Sequence, residues 1–327
     1  CYALGGAMPT VTDANLLLGR LSAENFLGGE MRLDAERART ALQTHVCAPL
    51  GLTIEEAASG IIQIAATTMS HVVTRVTTER GLDAGDFVMV AYGGAGPLHA
   101  SLVARELRMP TVVIPPAPGH FSAYGMLVSD LRRDFVHTWF KPVDRIDLAE
   151  MDALYKAMEK RGLDALGHAA EGQGIQIRRG ADMRYVGQEH SVTVELPEAL
   201  WRTADKDGLK RSFDAVHAQR YGFSSPQPAE VVSLHTSVIG VLDKPEVTRA
   251  PTAKQGKVPQ SSSRPVYFHE AKAFVDTAVF QRQALPEGFK THGPALIEEH
   301  ASTTVVLPGD SLTVGPFGDL IITIARS

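Results

Sequence analysis

The sequence contains few cysteines and no long apolar runs, and both absences exclude classes of protein. Cys1 and Cys47 are the only cysteines in 327 residues, which excludes a disulfide framework and a CxxC metal or redox motif. A reducing cytoplasm is therefore the expected location. The longest apolar stretches, residues 88–92 and 111–116, have the length of strands and fall far short of the roughly 20 residues of a membrane helix. We therefore expect no membrane partner.

An excess of basic residues is also missing. Lys and Arg total 32 against 37 Asp and Glu, a net charge of −5, so the chain has no general means of neutralising a nucleic-acid backbone. Apolar residues make up 44% and charged residues 21%, which is ordinary for a globular protein. The length predicts two domains, and nucleic acid is not an expected partner.

The first residues carry no initiator Met, no charged leader region and no apolar leader segment. Residues 1–6, Cys-Tyr-Ala-Leu-Gly-Gly, are typical of the interior of a longer sequence. We therefore expect this chain to be a split subunit, a cleavage product or part of a longer polypeptide.

Capping signals predict three helices in the first eighty residues. Thr12 or Asp13 is the predicted N-cap of a short helix, and a second helix is predicted from Asp34 to a point before Pro49. The clearest helix starts at Thr53, which forms a capping box with Glu56. Apolar residues then recur every three or four positions up to residue 76, which predicts one stripe facing the core.

Residues 86–115 have the pattern of a βαβ unit. An apolar segment (86–92) precedes a glycine turn (93–97), a segment with helical spacing (98–107) and a second apolar segment (111–115). Two buried strands joined by such a crossover are expected to be parallel. The fold class is therefore α/β, and a further helix is predicted over residues 121–131.

Strand-like segments dominate after residue 140, which we take as a domain boundary between residues 1–140 and 141–327. Helices are predicted over 148–170 and 205–220, between strands near 181–188, 191–196 and 231–241. Residues 243–265 are rich in Pro, Ser, Lys and Gln, which predicts a loop or linker. Regular short strands in the last sixty residues predict a small barrel or sandwich.

The turn of Gly93, Gly94, Ala95, Gly96 and Pro97 is the candidate ligand site, because it follows a strand and opens a helix. Glycines allow a ligand to approach the backbone, and a helix N-terminus presents free N–H groups to an anion or a nucleobase. The turn lacks the third glycine of GxGxxG and the Lys of a Walker A loop. A tight βα turn without a ligand explains the same residues.

Four other residues are candidates for roles at this site. His99 lies in the first turn of the helix, and His120 follows the next strand, so that the two loops are expected to meet at one rim of the sheet. His120 is the candidate for proton transfer, and the catalytic residues are otherwise unknown. Asp13 and Asn15 belong to a polar cluster suited to a phosphate, a metal or a substrate, although helix capping explains them equally. No HxxxH or HxH pair has a nearby carboxylate, so no metal site of this chain's own is predicted.

Several blocks of the sequence resemble the hydantoinase A and oxoprolinase family, which includes ATP-dependent N-methylhydantoinases, oxoprolinases, caprolactamase and acetone carboxylase β subunits. The blocks occur in one order over nearly the whole chain, and they comprise residues 9–15, 90–100, 114–126, 181–188, 217–223, 293–299 and 302–306. Many long blocks together are far more specific than one glycine motif.

The resemblance implies an actin-like ATPase core followed by a β-rich α+β domain. In that core two Asp-Gly-Gly-Thr loops and a later Gly-Gly element hold ATP and Mg²⁺; here residues 93–97 match the later element, and His99 adjoins it. Neither Asp-Gly-Gly-Thr loop occurs in the sequence. The resemblance therefore implies that ATP and Mg²⁺ are bound mainly by an N-terminal hydantoinase A segment, and that a hydantoinase B-like subunit is a further partner.

The chemistry that the resemblance implies is phosphoryl transfer from ATP to the oxygen of an amide, a lactam or an enolisable carbonyl. Hydrolysis of a cyclic amide such as a hydantoin, oxoproline or a lactam, through a phosphorylated amide, is the first hypothesis. A ketone carboxylase subunit of the acetone or acetophenone type is the second. A non-catalytic assembly subunit that lacks phosphate loops is the third.

Overall fold

The structure is a computed structural model that describes residues 1–167, 174–197, 200, 205–246 and 261–325. The helices are α1 (Val11–Leu17), α2 (Ala35–Leu42), α3 (Ala48–Leu50), α4 (Ile54–Thr78), α5 (Gly96–Glu106), α6 (Phe121–Val128), α7 (Leu148–Leu166) and α8 (Lys206–Tyr221). The strands are β1 (Met89–Val90), β2 (Thr111–Ile114), β3 (Leu131–Pro142), β4 (Ile175–Tyr185), β5 (Val192–Glu195), β6 (Ala229–Gly240), β7 (Ser261–Phe268), β8 (Ala273–Gln281), β9 (Lys290–His292), β10 (Ala295–Glu299), β11 (Ser302–Val306), β12 (Ser311–Val314) and β13 (Leu320–Thr323).

The predicted βαβ unit is present, and it confirms the α/β class. β1 and β2 pair in parallel, and α5 connects them. β1 has only two residues, shorter than the predicted segment 86–92, because residues 84–86 form a turn of 3-10 helix and residue 88 lies outside the ladder. The carboxyl ends of both strands face the same rim, where the glycine turn and the loop after β2 emerge.

The capping box that starts α4 is present as predicted. Thr53 accepts a hydrogen bond from the backbone N–H of Glu56, and the carboxylate of Glu56 accepts one from the backbone N–H of Thr53. The buried face of α4 includes Ile62, but Val72 and Val76 are 63% and 54% exposed. The predicted stripe is therefore wrong over the last turns of α4, because the residues that pack against its first half do not extend that far.

Two earlier helix boundaries differ from the prediction. Thr10 is the N-cap of α1, and Asp13 is the third residue of that helix, because the two side chains form a capping box. The helix that starts after Asp34 does not stop before Pro49; a π turn over Gln43–Cys47 carries it into α3, which ends at Gly51 in the left-handed conformation. The π turn interrupts the regular hydrogen-bond ladder just before Pro49, which has no N–H to contribute to it.

The strands of the last sixty residues do not form a separate barrel; they belong to two sheets that share one apolar core, as in a sandwich, and one of these sheets also contains β1 and β2. A four-stranded sheet has the order β11-β10-β8-β7, whereas β9, β12 and β13 extend the β1–β2 pair into a five-stranded sheet of order β1-β2-β13-β12-β9. β13 pairs antiparallel with β2, with Leu320 opposite Ile114. Apolar faces of both sheets pack in cores that include residues from both ends of the chain.

A third sheet, of order β3-β6-β4-β5, is antiparallel throughout and carries α7 and α8 on one face. Its core contains the aromatic side chains of Trp139, Tyr155, Tyr185 and Phe213. Tyr155 donates from its hydroxyl to the carbonyl oxygen of Gly180 at 2.7 Å, which satisfies the only polar atom of that buried side chain.

The chain divides into two compact units. One contains Cys1–Gly125 and Glu246–Ser327, and the other contains Met126–Pro245. This grouping in space differs from the predicted division at residue 140, because β13 returns to pair with β2. Of the predicted linker 243–265, residues 247–260 lie outside the described part, and residues 261–265 belong to β7.

Candidate functional site

The glycine turn lies between β1 and α5, and its backbone conformation requires glycine at one position. Gly93 has a φ of +86°, which other residues rarely adopt. Ala95 is the N-cap of α5, and no side chain caps the helix. Within the first turn of α5, Pro97 has no N–H and Leu98 donates its N–H to the carbonyl oxygen of Ala95 at 3.2 Å. The N–H of Gly96 is therefore the first-turn donor left for an acceptor on a ligand.

The loop after β2 meets the glycine turn, as the sequence predicts. The backbone N–H of Gly93 donates to the carbonyl oxygen of Pro118 at 2.7 Å. Ala117 has a φ of 48° and introduces a turn of 3-10 helix that ends at His120. The rings of Tyr92 and Phe121 lie 5.4 Å apart between centroids, which adds an apolar contact between the two loops.

A third segment, the turn between β10 and β11, completes the site and was not predicted from the sequence. Ser302 donates from its hydroxyl to the carbonyl oxygen of Gly94 at 3.1 Å. A Cβ on Gly94 would lie 3.2 Å from the carbonyl oxygen of Ala301, and a Cβ on Gly119 would lie 2.8 Å from the Cβ of Ala301. Both glycines therefore allow the turn of residues 299–302 to approach closely. The family-like block of residues 293–299 leads into this turn, but its sequence alone does not indicate a role in the site.

The glycine turn and the β10–β11 turn line a cavity of about 220 Å³, whereas the loop after β2 contributes no lining residue. Residues from α1, the following loop, the glycine turn and the β10–β11 turn line the cavity: Tyr2, Thr12, Leu21, Ser22, Asn25, Phe26, Leu27, Gly94, Ala95, Leu98, Glu298, Glu299, His300, Ala301, Ser302 and Thr303. The rings of Tyr2 and Phe26 meet edge to face, with centroids 6.0 Å apart. Apolar walls with a few polar groups are typical of small-molecule sites.

Histidines and carboxylates cluster beside this cavity. The rings of His120 and His300 lie 6.1 Å apart between centroids, and His300 Nε2 lies 3.0 Å from a carboxylate oxygen of Glu30. Burial raises the pKa of Glu299, although Arg282, only 2.8 Å away, opposes that rise. His120 lies close enough to Glu299 to lower its pKa slightly. The candidate His120 does not line the cavity, but its ring lies beside that of His300, which does.

The side chain of His99 does not line the cavity beside the glycine turn. Its side chain is only 4% exposed and lies with Nε2 3.4 Å from the amide nitrogen of Asn15. Burial, with a smaller contribution from the charge of Arg20, lowers the pKa of His99 to about 4. The imidazole is therefore neutral at physiological pH and packs behind the turn, while Leu98 faces the cavity.

Asp13 and Asn15 are buried in α1 and do not line the cavity, although Thr12 does. Asp13 accepts hydrogen bonds from the backbone N–H of Thr10 at 2.6 Å and from its hydroxyl at 2.8 Å. The backbone nitrogen of Cys1 lies 2.6 Å from the other oxygen of Asp13. Asn15 donates to the carbonyl oxygen of Val11 at 3.0 Å. Their contacts are those of a helix start, and a place near substrate or phosphate stays a prediction.

A second polar cluster lies on the sheet β3-β6-β4-β5. Asp182 accepts hydrogen bonds from Thr193 and Ser233, and His235 Nε2 lies 2.6 Å from its carboxylate. Ser233 also lies 3.1 Å from the same nitrogen of His235. A Ser–His–Asp triad needs the serine and the carboxylate at opposite ring nitrogens, so this arrangement is not such a triad.

The described residues contain no group of three or more His, Cys, Asp and Glu side chains suited to hold a metal ion. Within the same residues, none of the helices combines the length and apolar character needed to cross a membrane. Cys1 and Cys47 are both free thiols.

The fold and the pocket define an α/β protein in which the glycine turn and the β10–β11 turn line a cavity, and a proline-rich loop contacts both turns. The chain belongs to the hydantoinase/oxoprolinase family. Residues 1–135 match the family described as Hydantoinase/oxoprolinase, and residues 145–317 match its C-terminal domain. These matches confirm the family predicted from the sequence blocks.

Caprolactamase is a relative by both sequence and structure. Its subunit alpha from Pseudomonas jessenii is 32% identical over 323 residues, which cover 97% of this chain and 46% of the relative. The crystal structure of this ATP-dependent enzyme has a TM-score of 0.74 at 32% identity and covers 100% of this chain and 48% of that chain.

Acetone carboxylase is similar as well. Its beta subunit from Xanthobacter autotrophicus is 30% identical, over 92% of this chain and 44% of the relative. The nucleotide-free structure of acetone carboxylase, an enzyme of ATP-dependent acetone carboxylation, has a TM-score of 0.78 at 25% identity and covers 98% of this chain and 47% of that chain. The chain thus spans less than half of the length of these relatives.

Proposed function

We propose that this chain is part of an ATP-dependent hydrolase of cyclic amides and contributes the glycine turn to its nucleotide site. The observation that carries the proposal is the start of α5, which no side chain caps, beside Gly93 and Gly94. The loop after β2 and the β10–β11 turn both contact this glycine turn, and the β10–β11 turn lines a cavity together with it. The match to caprolactamase over 97% of the chain supports a cyclic amide as the substrate.

The donor groups present suit the acceptor atoms of a nucleotide. The N–H of Gly96 at the start of α5 and the helix dipole favour a polar or anionic acceptor. Space is available beside the turn, since a Cβ on Gly93 would have no neighbour within 4 Å. Leu98 and Leu21 provide apolar walls nearby. The turn would therefore hold and orient part of the nucleotide.

Among the described residues, no group of three or more His, Cys, Asp and Glu side chains is arranged to hold Mg²⁺. We propose that Mg²⁺ and the triphosphate are bound by an N-terminal hydantoinase A segment, and that a hydantoinase B-like subunit completes the assembly. ATP supplies the phosphoryl group that converts an unreactive amide oxygen into a leaving group. This chain would position the reacting groups, and His120 is the candidate for moving a proton beside the cavity.

A ketone carboxylase subunit is the second candidate. The similarity to the acetone carboxylase beta subunit, and the TM-score of 0.78 with the acetone carboxylase structure, support it. Both chemistries begin by activating a carbonyl oxygen, so the same turn would serve either. A non-catalytic assembly role is the third candidate.

To test the proposal, the chain is purified from the cells that produce it, together with the chains bound to it, and ATP hydrolysis by the assembly is measured. We expect turnover stimulated by a hydantoin, by oxoproline or by caprolactam. Stimulation only by acetone or acetophenone with bicarbonate would replace the first hypothesis with the second. Failure of the whole assembly to bind ATP would contradict both and support the assembly role.

A further inference from the structure

Arg282 and Glu299 form a nearly buried ion pair next to the candidate site. Their side chains are 9% and 11% exposed, and Arg282 Nη1 lies 2.8 Å from the carboxylate of Glu299. Arg282 also donates from Nη2 to the carbonyl oxygens of Ile114, at 2.9 Å, and Gly318, at 2.7 Å. One guanidinium therefore ties the last residue of β2 to the β12–β13 turn and to Glu299.

Glu299 extends this network to the loop after β2. The backbone N–H of Ala117, the residue with a φ of 48°, lies close enough to the Glu299 carboxylate to oppose the rise of its pKa. A left-handed conformation is costly for alanine, so an added polar contact helps to maintain it. The next residue, Pro118, accepts the hydrogen bond from Gly93. A chain of contacts thus runs from Arg282 through Glu299 and Ala117 to the glycine turn.

Glu299 is also the last residue of β10, directly before the β10–β11 turn, and this turn contacts the glycine turn. Ser302 donates to Gly94, and Ala301 packs where a Cβ on Gly94 or Gly119 would be crowded. Glu299 therefore lies where two independent routes to the glycine turn begin. An ion pair that served only stability would not be expected to contact both loops beside the glycine turn.

We propose that Arg282 and Glu299 are positioning residues that hold the loop of residues 115–120 and the glycine turn in a ligand-ready geometry. This inference rests on the proposed role of the glycine turn in nucleotide binding. Burial raises the pKa of Glu299. Arg282 supplies the nearby positive charge that favours the ionised carboxylate over the protonated form.

Two substitutions at Glu299 separate positioning from simple loss of an ion pair. Glu299→Gln keeps an oxygen that can accept from the N–H of Ala117, whereas Glu299→Ala removes that acceptor. We expect ATP affinity of the purified assembly to fall about tenfold for Glu299→Ala and only about threefold for Glu299→Gln. Partial rescue by the amide is the signature of the Ala117 contact.

The matched control is the pair of Arg184 and Glu230, which lies in the other compact unit. Their atoms are 2.8 Å apart and their side chains are 25% and 17% exposed. Glu230→Ala and Glu230→Gln remove an ion pair of the same kind without touching the cavity. We expect both control variants to bind ATP as the unchanged protein does, with a thermal midpoint lowered about as much as in the Glu299 variants.

Equal ATP affinity in Glu299→Ala and the unchanged protein would overturn the inference. Equal losses for Glu299→Gln and Glu299→Ala, in folded protein, would also contradict it, because the acceptor for Ala117 would then be irrelevant. Gly94→Val distinguishes these failures from failure of the proposed function. If Gly94→Val weakens ATP binding while Glu299→Ala does not, only the positioning role is wrong. If ATP does not bind the unchanged assembly, the proposed function fails and the positioning role with it.

Discussion

The backbone N–H of Gly93 donates a hydrogen bond to the carbonyl oxygen of Pro118 at 2.7 Å. This contact joins the two loops that leave the carboxyl ends of the parallel strands β1 and β2. In open α/β sheets ligands bind outside the carboxyl ends of the strands, where neighbouring loops separate. Here the β10–β11 turn contacts both loops, and it lines a cavity with apolar walls together with the glycine turn.

Gly94 and Gly96 are expected to respond differently to substitution. A Cβ on Gly94 would lie 3.2 Å from the carbonyl oxygen of Ala301, whereas a Cβ on Gly96 would meet only the backbone carbon of Ala91 at 3.9 Å. Gly94→Val must therefore displace the β10–β11 turn. We expect it to weaken ATP binding by about tenfold or more, and Gly96→Ala to weaken it by less.

Nucleotide titration of the purified assembly measures both effects, and circular dichroism of each variant establishes that it is folded. Equal losses for Gly94→Val and Gly96→Ala would show that the contact with Ala301 does not matter. Unchanged affinity in both would contradict the nucleotide role of the turn.

Ser302 provides a second test of the same contact. Its hydroxyl donates to the carbonyl oxygen of Gly94 at 3.1 Å. The hydroxyl of Ser101 makes a similar bond, 3.3 Å long, to the carbonyl oxygen of Val305. We expect Ser302→Ala to raise the dissociation constant for ATP a few-fold, and Ser101→Ala to cost about 1 kcal/mol of stability with no change in ATP affinity. Calorimetric titration and urea unfolding measure the two quantities, and a reversed pattern would contradict the role of Ser302.

Much of the local structure was predictable, because its determinants are close together in sequence. The Thr53–Glu56 capping box, the order strand, glycine turn, helix and strand, and the meeting of the loops that carry Gly93 and His120 all follow from short-range patterns. The family was predictable as well, because its evidence consists of contiguous blocks. In contrast, the choice of Thr10 over Thr12 as N-cap depends on which residue's side chain reaches the third helical N–H.

Contacts between distant segments were not predictable from these patterns. The pairing of β13 with β2 joins Leu320 to Ile114, and the contact of Ser302 with Gly94 joins opposite ends of the chain. Periodicity indicates that a segment is a strand, but it does not identify the strand's neighbours. For the same reason the burial of His99 against Asn15 was missed, since nothing in the local sequence distinguishes that packing from exposure above the turn.

Two helical glycines should respond to alanine with opposite signs. Gly60 in α4 has no neighbour within 4 Å of an added Cβ, so Gly60→Ala gains helix propensity at no steric cost. Gly162 in α7 faces Val238, whose Cγ2 would lie 2.4 Å from an added Cβ. We expect Gly60→Ala to stabilise its unit by about 1 kcal/mol and Gly162→Ala to destabilise its unit by about 1–3 kcal/mol.

Hydrogen exchange at amides of α4 and α7 reports on each unit separately. Gly162→Ser would be expected to behave like Gly162→Ala, because the clash is at Cβ. Stabilisation by Gly162→Ala would show that helix propensity outweighs the packing of α7 on β6.

His99 is expected to make stability depend on pH. Burial lowers its pKa from 6.5 to about 4, so the folded state binds this proton less tightly than the unfolded state does. The stabilisation is fully present above the unfolded pKa and is lost as pH falls from that value towards the folded one, by up to about 3 kcal/mol. His99→Gln cannot gain this charge, so we expect the variant to lose less stability than the unchanged protein between about pH 7 and about pH 5. Hydrogen exchange at amides of α5 measures the difference, with His45→Gln, at an exposed histidine, as the control that keeps the full dependence. If His99→Gln and His45→Gln lose equal stability on acidification, the buried imidazole of His99 is not the group responsible.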